Sequence, residues 1–99
     1  EKTTNSVDVV KLPFNLYQNV PNPFNESTVI GFTLPDAGAA TLSIYDAAGK
    51  VIKTVRGNYH SGYHEVTVQQ SEFGGSGVYY YRLDTDSDTA VRKMIFIKQ

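Results

Sequence analysis

The sequence predicts an all-β domain, and three features of its 99 residues support that prediction. Short segments of alternating apolar and polar residues recur along the chain, as expected for half-buried strands. Turn residues separate these segments at intervals of about 8–12 residues, which is typical of antiparallel sandwiches and barrels. No stretch of ten or more residues shows the periodicity of a helix. We therefore expect an immunoglobulin-like antiparallel β-sandwich of about seven strands, with no substantial helix.

Composition narrows the classes of function. Hydrophobic residues make up 40% of the chain and charged residues 19%, which favours a folded domain over a disordered one. The net charge of −1 gives no overall field that would attract nucleic acid. No apolar run approaches the roughly 20 residues of a membrane-spanning helix, and the chain has no cysteine for disulfides or thiolate zinc sites. We expect no nucleic-acid partner, no membrane span and no cofactor.

The chain begins with a polar segment and then reaches a corner rich in proline. We interpret residues 1–11 as a linker and residues 12–99 as the domain. Leu16 is predicted to begin a short edge strand. Residues 20–25, with the sequence VPNPFN, are named the proline corner here.

The proline corner excludes a central strand. Pro21 and Pro23 each fix φ, and neither can donate a backbone hydrogen bond. The short amides of Asn22 and Asn25 can hydrogen-bond the local backbone and replace the missing bonds between strands. Phe24 is the one large apolar residue of the corner, so we expect it to point into the core.

Six longer strands are predicted after the corner. Their alternation suggests strands at residues 28–34, 40–46, 51–56, 64–70, 78–84 and 89–98. The side chains predicted to face inward are Ile30, Phe32, Leu34, Leu42, Ile44, Val66, Val68, Tyr79, Tyr81 and Leu83. Gly49 suits a positive φ in a short hairpin loop. Residues 57–62 are interpreted as a longer connection, and residues 72–77 as a glycine-rich turn.

An acidic hairpin raises the possibility of calcium binding. Asp84, Asp86 and Asp88 have the spacing with which a calcium-binding loop begins. Such a loop also needs glycine at its sixth position and glutamate at its twelfth, where this chain has Thr89 and Ile95. A solvated hairpin tip is the favoured interpretation, and a weak surface calcium site is the alternative.

Neither a metal centre nor a catalytic site is marked in the sequence. His60 and His64 lie near Glu65 and could in principle bind a metal ion. They flank a junction between a loop and a strand, and no further ligand is evident, so no metal site is predicted. No nucleophile stands beside a base, and no glycine-serine-glycine elbow joins a strand to a helix. We therefore expect no catalytic residue.

The tyrosines could form a stacking platform for sugars or nucleic acid. In the run of three at residues 79–81, alternation places Tyr79 and Tyr81 in the core and leaves Tyr80 outside. Core packing is therefore the favoured interpretation of this run.

The last strand is apolar on both of its faces. Its two alternating sets are Val91, Lys93, Ile95 and Ile97 on one face, and Arg92, Met94, Phe96 and Lys98 on the other. We expect Met94 and Phe96 to enter the core, which leaves Ile95 and Ile97 exposed. An exposed apolar face or edge at this position is a candidate docking surface. The alternative is a central strand that is buried on both faces.

Blocks of this sequence resemble those of a bacterial family, and they occur in the same order. The segment QNVPNPFN at residues 18–25 resembles the QNYPNPFN opening of the type A C-terminal sorting domains of the type IX secretion system, with Val20 in place of the usual tyrosine. Further similar blocks are LPDAG at 34–38, IYDAAGK at 44–50, GYHEV at 62–66, GVYYYRL at 77–83 and RKMIFIK at 92–98. The ordered set extends from about Leu12 to the end of the chain.

The resemblance implies a seven-stranded sandwich at the C-terminus of a larger exported protein. It implies that the precursor first enters the periplasm and that the domain then directs an upstream cargo domain to an outer-membrane translocon. A surface sortase of cysteine-protease type then usually removes it, with cleavage in or before residues 1–11, and the cargo reaches the cell surface or the medium. Under this resemblance the domain itself has no catalytic role.

The resemblance also divides the motif residues into two groups. The group implied to be read as the secretion signal is Lys93, Met94, Ile95, Phe96, Ile97 and Lys98. The group implied to hold the shape of the domain is Pro21, Asn22, Pro23, Phe24, Asn25, Gly49, Gly62, Gly77 and Tyr79.

Two alternative functions remain open from the sequence. One is a structural module, because the flagellar hook-cap protein carries a similar immunoglobulin-like domain. The other is a carbohydrate-binding module attached to a secreted enzyme. That function would need two or more coplanar exposed aromatic rings, for which Tyr17, Tyr59, Tyr63 and Tyr80 are the candidates.

Overall fold

Two antiparallel sheets form the domain in a computed structural model that describes residues 11–99. The seven strands are β1 (Asn15–Leu16), β2 (Ser27–Leu34), β3 (Gly38–Tyr45), β4 (Val51–Tyr59), β5 (Gly62–Gln69), β6 (Gly77–Asp84) and β7 (Thr89–Phe96). One sheet has the order β1-β2-β5 and the other the order β4-β3-β6-β7. A 3₁₀ turn, Gln70–Glu72, follows β5. The predicted all-β sandwich of seven strands is confirmed.

The alternation of the strands correctly predicted the core. Of the side chains expected to face inward, all are buried except that of Val66, which is half-buried against the core. Tyr79 and Tyr81 are buried and Tyr80 is exposed, as their alternation in β6 requires. The buried apolar residues that the strand pattern did not assign are Leu16, Ala40 and Phe73.

The connection predicted at residues 57–62 is wrong for most of its length. β4 continues to Tyr59, and β5 already begins at Gly62. Gly57 pairs with Ala40, and the Tyr59 ring lies over Gly57 while it packs edge-on against Phe32 at 5.4 Å between ring centroids. A glycine and an asparagine resemble a loop in sequence, but the neighbouring aromatic ring supplies the packing that Gly57 lacks.

The last strand is shorter than predicted. Its ladder with β6 ends at Phe96, which pairs with Gly77, because β6 begins at that glycine and offers no further partner. Ile97 and Lys98 therefore lie beyond the ladder. The strand is also an edge strand of its sheet, so the alternative of a central strand is wrong.

The start of the chain remains a prediction. Residues 1–10 of the predicted linker lie outside the described residues. Lys11 forms an exposed ion pair with Asp36, with 2.9 Å between Nζ and Oδ1. A search of residues 11–99 found no helix with the length and hydropathy needed to cross a bilayer.

Candidate functional site

The proline corner covers the outer edge of β7. The Phe24 amide donates to the Ile95 carbonyl oxygen at 3.1 Å, and the Ile97 amide donates to the Phe24 carbonyl oxygen at 2.9 Å. These two bonds form a short parallel bridge beside Phe96. The corner thus acts as a partial extra strand at the edge of the four-stranded sheet.

Side chains extend the cover of this edge as far as Lys93. The Ile95 amide donates to Oδ1 of Asn22 at 2.9 Å, and Nε2 of Gln18 donates to the Lys93 carbonyl oxygen at 2.7 Å. Asn22 therefore replaces a bond between strands, as the sequence suggested, but its partner is the last strand and not the local backbone. No side-chain hydrogen bond joins the exposed Asn25 to another residue within 11–99, so the same role predicted for it is not seen.

The Phe24 ring fixes the corner to the core from the inside. Phe24 is buried, and its ring centroid lies 5.1 Å from those of both Phe73 and Phe96. Tyr79 extends this cluster through Phe73, at 4.8 Å between centroids. The corner and the C-terminal strand therefore share one aromatic core, and moving either would expose the other.

A buried polar network braces the corner. Asn19 is buried, and its Nδ2 donates to the Pro21 carbonyl oxygen at 3.1 Å and to Oγ1 of Thr28 at 3.0 Å. Thr28 in turn donates to the Pro21 carbonyl oxygen at 2.8 Å. The peptide bonds that precede Pro21 and Pro23 are both cis. Asn19 and Thr28 could not be recognised from the sequence, because alternation and turn chemistry alone do not mark a buried asparagine.

Tyr81 connects this network to the second sheet. Its hydroxyl donates to the Tyr17 carbonyl oxygen at 2.6 Å and accepts the Asn19 amide at 2.9 Å. Burial raises the pKa of Tyr81 to about 12, because the charged phenolate would lose its hydration. The phenol therefore stays neutral and donates a hydrogen bond across the sandwich.

One side of the C-terminal strand remains open. Lys93 and Lys98 are exposed, and Met94 and Phe96 are buried as predicted. Ile97 is 45% exposed, as expected, but the expected exposure of Ile95 is wrong: Ile95 is half-buried, because the proline corner pairs with it. A shallow cleft of about 180 Å³ joins the end of the strand to the corner, and its lining residues are Pro21, Pro23, Phe24, Asn25, Ile97 and Gln99. This cleft, together with Lys93, Ile95 and Lys98, is named the corner–terminus surface here.

A family model described as the secretion system C-terminal sorting domain matches residues 15–98. The chain belongs to this family. The family comprises the C-terminal sorting signals of the type IX secretion system, so the family proposed from the sequence blocks is confirmed. A comparison with individually curated proteins found no match. The matched residues include both the proline corner and the C-terminal strand.

Membership in the family supports two conclusions about this sorting domain. It acts as a signal for export to the cell surface or the extracellular space. Sorting domains of this family are non-catalytic.

The glycines of the family motif lie at turns of the sorting domain. Gly49 has φ of +88° in the loop between β3 and β4, as predicted, and Gly62 has φ of +117° where β5 begins. Both values favour glycine because a Cβ would collide with the backbone. Gly77 begins β6. Tyr79, two residues later, donates from its hydroxyl to the Gly75 carbonyl oxygen at 2.7 Å and so ties the glycine-rich turn to the core.

The acidic hairpin and the histidines of the sorting domain are engaged in local contacts. The Asp84 carboxylate accepts hydrogen bonds from Nε of Arg82 and from Oγ1 of Thr89, both at 2.8 Å. Nε2 of His64 lies 2.7 Å from the His60 carbonyl oxygen. Within residues 11–99, no three histidine, cysteine or acidic side chains lie close enough to hold a metal ion.

The candidate sugar-binding tyrosines do not form a flat platform. Tyr17 and Tyr63 meet at 6.0 Å between ring centroids, but their planes are inclined by 52°. Tyr59 is half-buried on Phe32, and Tyr80 lies on the other sheet. The geometry therefore does not favour a carbohydrate-binding module.

Proposed function

We propose that this domain directs an upstream cargo protein through the type IX translocon and that the translocon reads the corner–terminus surface. The observation that supports this is the pairing of the proline corner with the C-terminal strand. The two segments are about 70 residues apart in sequence, yet they form one hydrogen-bonded unit with a shared exposed cleft. A receptor that contacts this unit reads both ends of the folded domain at once.

Recognition in this proposal uses side chains and not strand addition. The Lys93 carbonyl oxygen, both backbone groups of Ile95 and the Ile97 amide already have partners. A strand added along this end of β7 would therefore first have to displace the corner. The lysines instead supply charge that orients the receptor, and the exposed isoleucine supplies apolar area. Lys93 and Lys98 are the charged contacts in this proposal, and Ile97 is the apolar one.

The proposed order of events is the one that membership in the family implies. The cargo passes through the periplasm, the translocon binds the folded sorting domain, and a surface sortase then cuts in or before residues 1–11. The cargo remains at the cell surface or is released. In this order of events, the sorting domain first binds the translocon as a ligand and is then a substrate of the sortase.

A secretion assay tests this proposal. The 99-residue chain is fused behind a signal peptide and a fluorescent reporter, in a host with a working type IX system, beside a fusion lacking residues 97–99. We expect the full fusion at the surface or in the medium and the shortened fusion in the periplasm. Retention of both fusions in the periplasm, or export of both, would contradict the proposal.

The truncation needs a folding control. It removes the bond from the Ile97 amide to Phe24 and the bond from the Lys98 amide to Oγ of Ser76, at 2.7 Å. Thermal unfolding of the purified shortened chain shows whether the domain still folds. Retention in the periplasm supports recognition only where the unfolding transition remains cooperative and lies above the growth temperature.

A further inference from the structure

A second cleft lies on the outer face of the three-stranded sheet and plays no part in the proposed function. Its volume is about 310 Å³, at the lower end of the roughly 300–1,000 Å³ of small-ligand sites. The lining residues that carry the argument are Tyr17, Val20, Val29, Gly31, Tyr63 and Glu65. It is named the tyrosine cleft here.

A glycine in the middle of a strand makes room for this cleft. Gly31 lies inside β2, where the Tyr63 ring from β5 lies directly over it. A Cβ on Gly31 would overlap the Tyr63 hydroxyl and lie 2.9 Å from two ring carbons. The Tyr17 ring approaches from the other side and completes a pair of inclined walls. A glycine in a strand interior often marks such a close approach.

The walls of the cleft are electron-rich. Among the described residues, Glu65 is the one charged residue that lines it, and its Oε2 accepts a hydrogen bond from the Tyr63 hydroxyl at 2.9 Å. This hydrogen bond raises the pKa of Tyr63, so the phenol remains neutral and holds the carboxylate beside the rings. Two aromatic faces and a carboxylate attract a cation, and no basic side chain of residues 11–99 lines the cleft.

The apolar part of the cleft suits the stem of a long basic side chain. Val20 is 68% exposed and Val29 is half-buried, and both lie in the lining beside the tyrosines. A hydrocarbon stem can cover these two side chains while its charged end reaches the rings. Arginine fits better than lysine, because its planar guanidinium stacks on an aromatic face and forms paired hydrogen bonds with a carboxylate.

We propose that the tyrosine cleft binds an arginine side chain presented by a partner protein. The guanidinium lies on the rings of Tyr17 and Tyr63 and hydrogen-bonds Glu65. Charge complementarity within the cleft supports this assignment, and binding there is independent of how the translocon reads the corner–terminus surface.

Titration with a small probe tests the proposal directly. N-acetyl-arginine N-methylamide is added to the ¹⁵N-labelled chain at constant ionic strength, and the chemical shifts of the Gly31, Tyr63 and Glu65 amides are followed. The neutral isostere N-acetyl-citrulline N-methylamide and a methyl glucoside serve as comparison probes. We expect saturable shifts with the arginine probe and binding at least about threefold weaker with citrulline. No shifts at the cleft, or equal binding of citrulline or the glucoside, would overturn the proposal.

Variants locate the binding site. Tyr63→Ala and Glu65→Gln are each expected to lower the affinity for the arginine probe by about twofold to fivefold, because each removes one exposed contact with the cation. Tyr80→Ala is the matched control, since it removes an exposed tyrosine from the other sheet. The amide spectrum of each variant reports whether it remains folded. Unchanged affinity in folded Tyr63→Ala and Glu65→Gln would overturn the assignment to this cleft.

Discussion

The backbone amide of Ile95 donates a hydrogen bond to Oδ1 of Asn22, which precedes it by 73 positions in the chain. This contact joins two of the segments of the sorting domain whose sequences resemble blocks of the family. The proline corner does not merely turn the chain into β2, because it also serves as the partner of the last strand. Substitutions in the proline corner should therefore alter the C-terminal strand, and substitutions in the strand should alter the corner.

Replacement of Asn22 tests this connection. Asn22→Ala leaves the Ile95 amide without its side-chain acceptor, so we expect the free energy of unfolding to fall by about 0.5–1.5 kcal/mol. Asn25→Ala is the matched control in the same corner and should change it by less than about 0.5 kcal/mol. Urea unfolding of the purified chains measures both. Equal effects of the two substitutions would contradict a specific role for Asn22.

Phe24 is expected to be the most sensitive position of the corner. Its ring is buried between Phe73 and Phe96, so Phe24→Ala leaves a cavity and should cost about 3–5 kcal/mol. That is a large share of the roughly 5–15 kcal/mol that stabilises an ordinary domain. Phe24→Leu keeps most of the volume and should cost clearly less. A loss below about 1 kcal/mol for Phe24→Ala would show that the ring does not hold the corner.

Tyr81 should make the stability of the domain depend on pH in the alkaline range. Its pKa is raised from the ordinary value of 10.0 to about 12 in the fold, so the folded state favours the neutral phenol. The corresponding stability is fully present below about pH 10 and is lost as the pH rises towards 12. Urea unfolding at about pH 9, 10 and 11 should therefore show a smaller decline for Tyr81→Phe than for the wild type.

The same substitution has a cost at neutral pH. Tyr81→Phe leaves the Tyr17 carbonyl oxygen and the Asn19 amide without their partner, which should cost about 1–3 kcal/mol. Tyr80→Phe, on the exposed face of the same strand, is the control and should follow the wild type at every pH. If Tyr81→Phe and the wild type declined in parallel between pH 9 and 11, the assignment of this pH dependence to Tyr81 would be wrong.

Local patterns predicted the strands and their inward faces well. Ile30, Phe32 and Tyr81 could be assigned to the core because alternation depends only on neighbouring residues and the two-residue period of a strand. Gly49 could be assigned to a turn for an equally local reason, since a positive φ favours glycine.

Contacts between distant segments could not be predicted in this way. The bond between Asn22 and Ile95, and the meeting of Tyr17 with Tyr63, depend on which strands become neighbours. β2 separates β1 from β5, so the two tyrosines meet over Gly31 only after the whole sheet has formed. Burial of Asn19 likewise depends on partners that local sequence does not reveal.

Removal of charge from the C-terminal strand shows whether the translocon reads the corner–terminus surface. Lys93→Ala with Lys98→Ala removes two exposed positive charges from the corner–terminus surface, while the backbone bonds that hold the strand remain. Lys50→Ala with Arg56→Ala removes the same charge from exposed positions elsewhere and serves as the control. Thermal unfolding should show that both double variants remain folded.

The measurement is the secreted fraction of a reporter fused to each double variant. We expect secretion of the Lys93/Lys98 variant to fall at least about tenfold, since interface contacts of this kind each contribute on the order of 1 kcal/mol. The Lys50/Arg56 variant should be secreted like the wild type. Secretion of a folded Lys93/Lys98 variant at the wild-type level would contradict the claim that the translocon reads this surface.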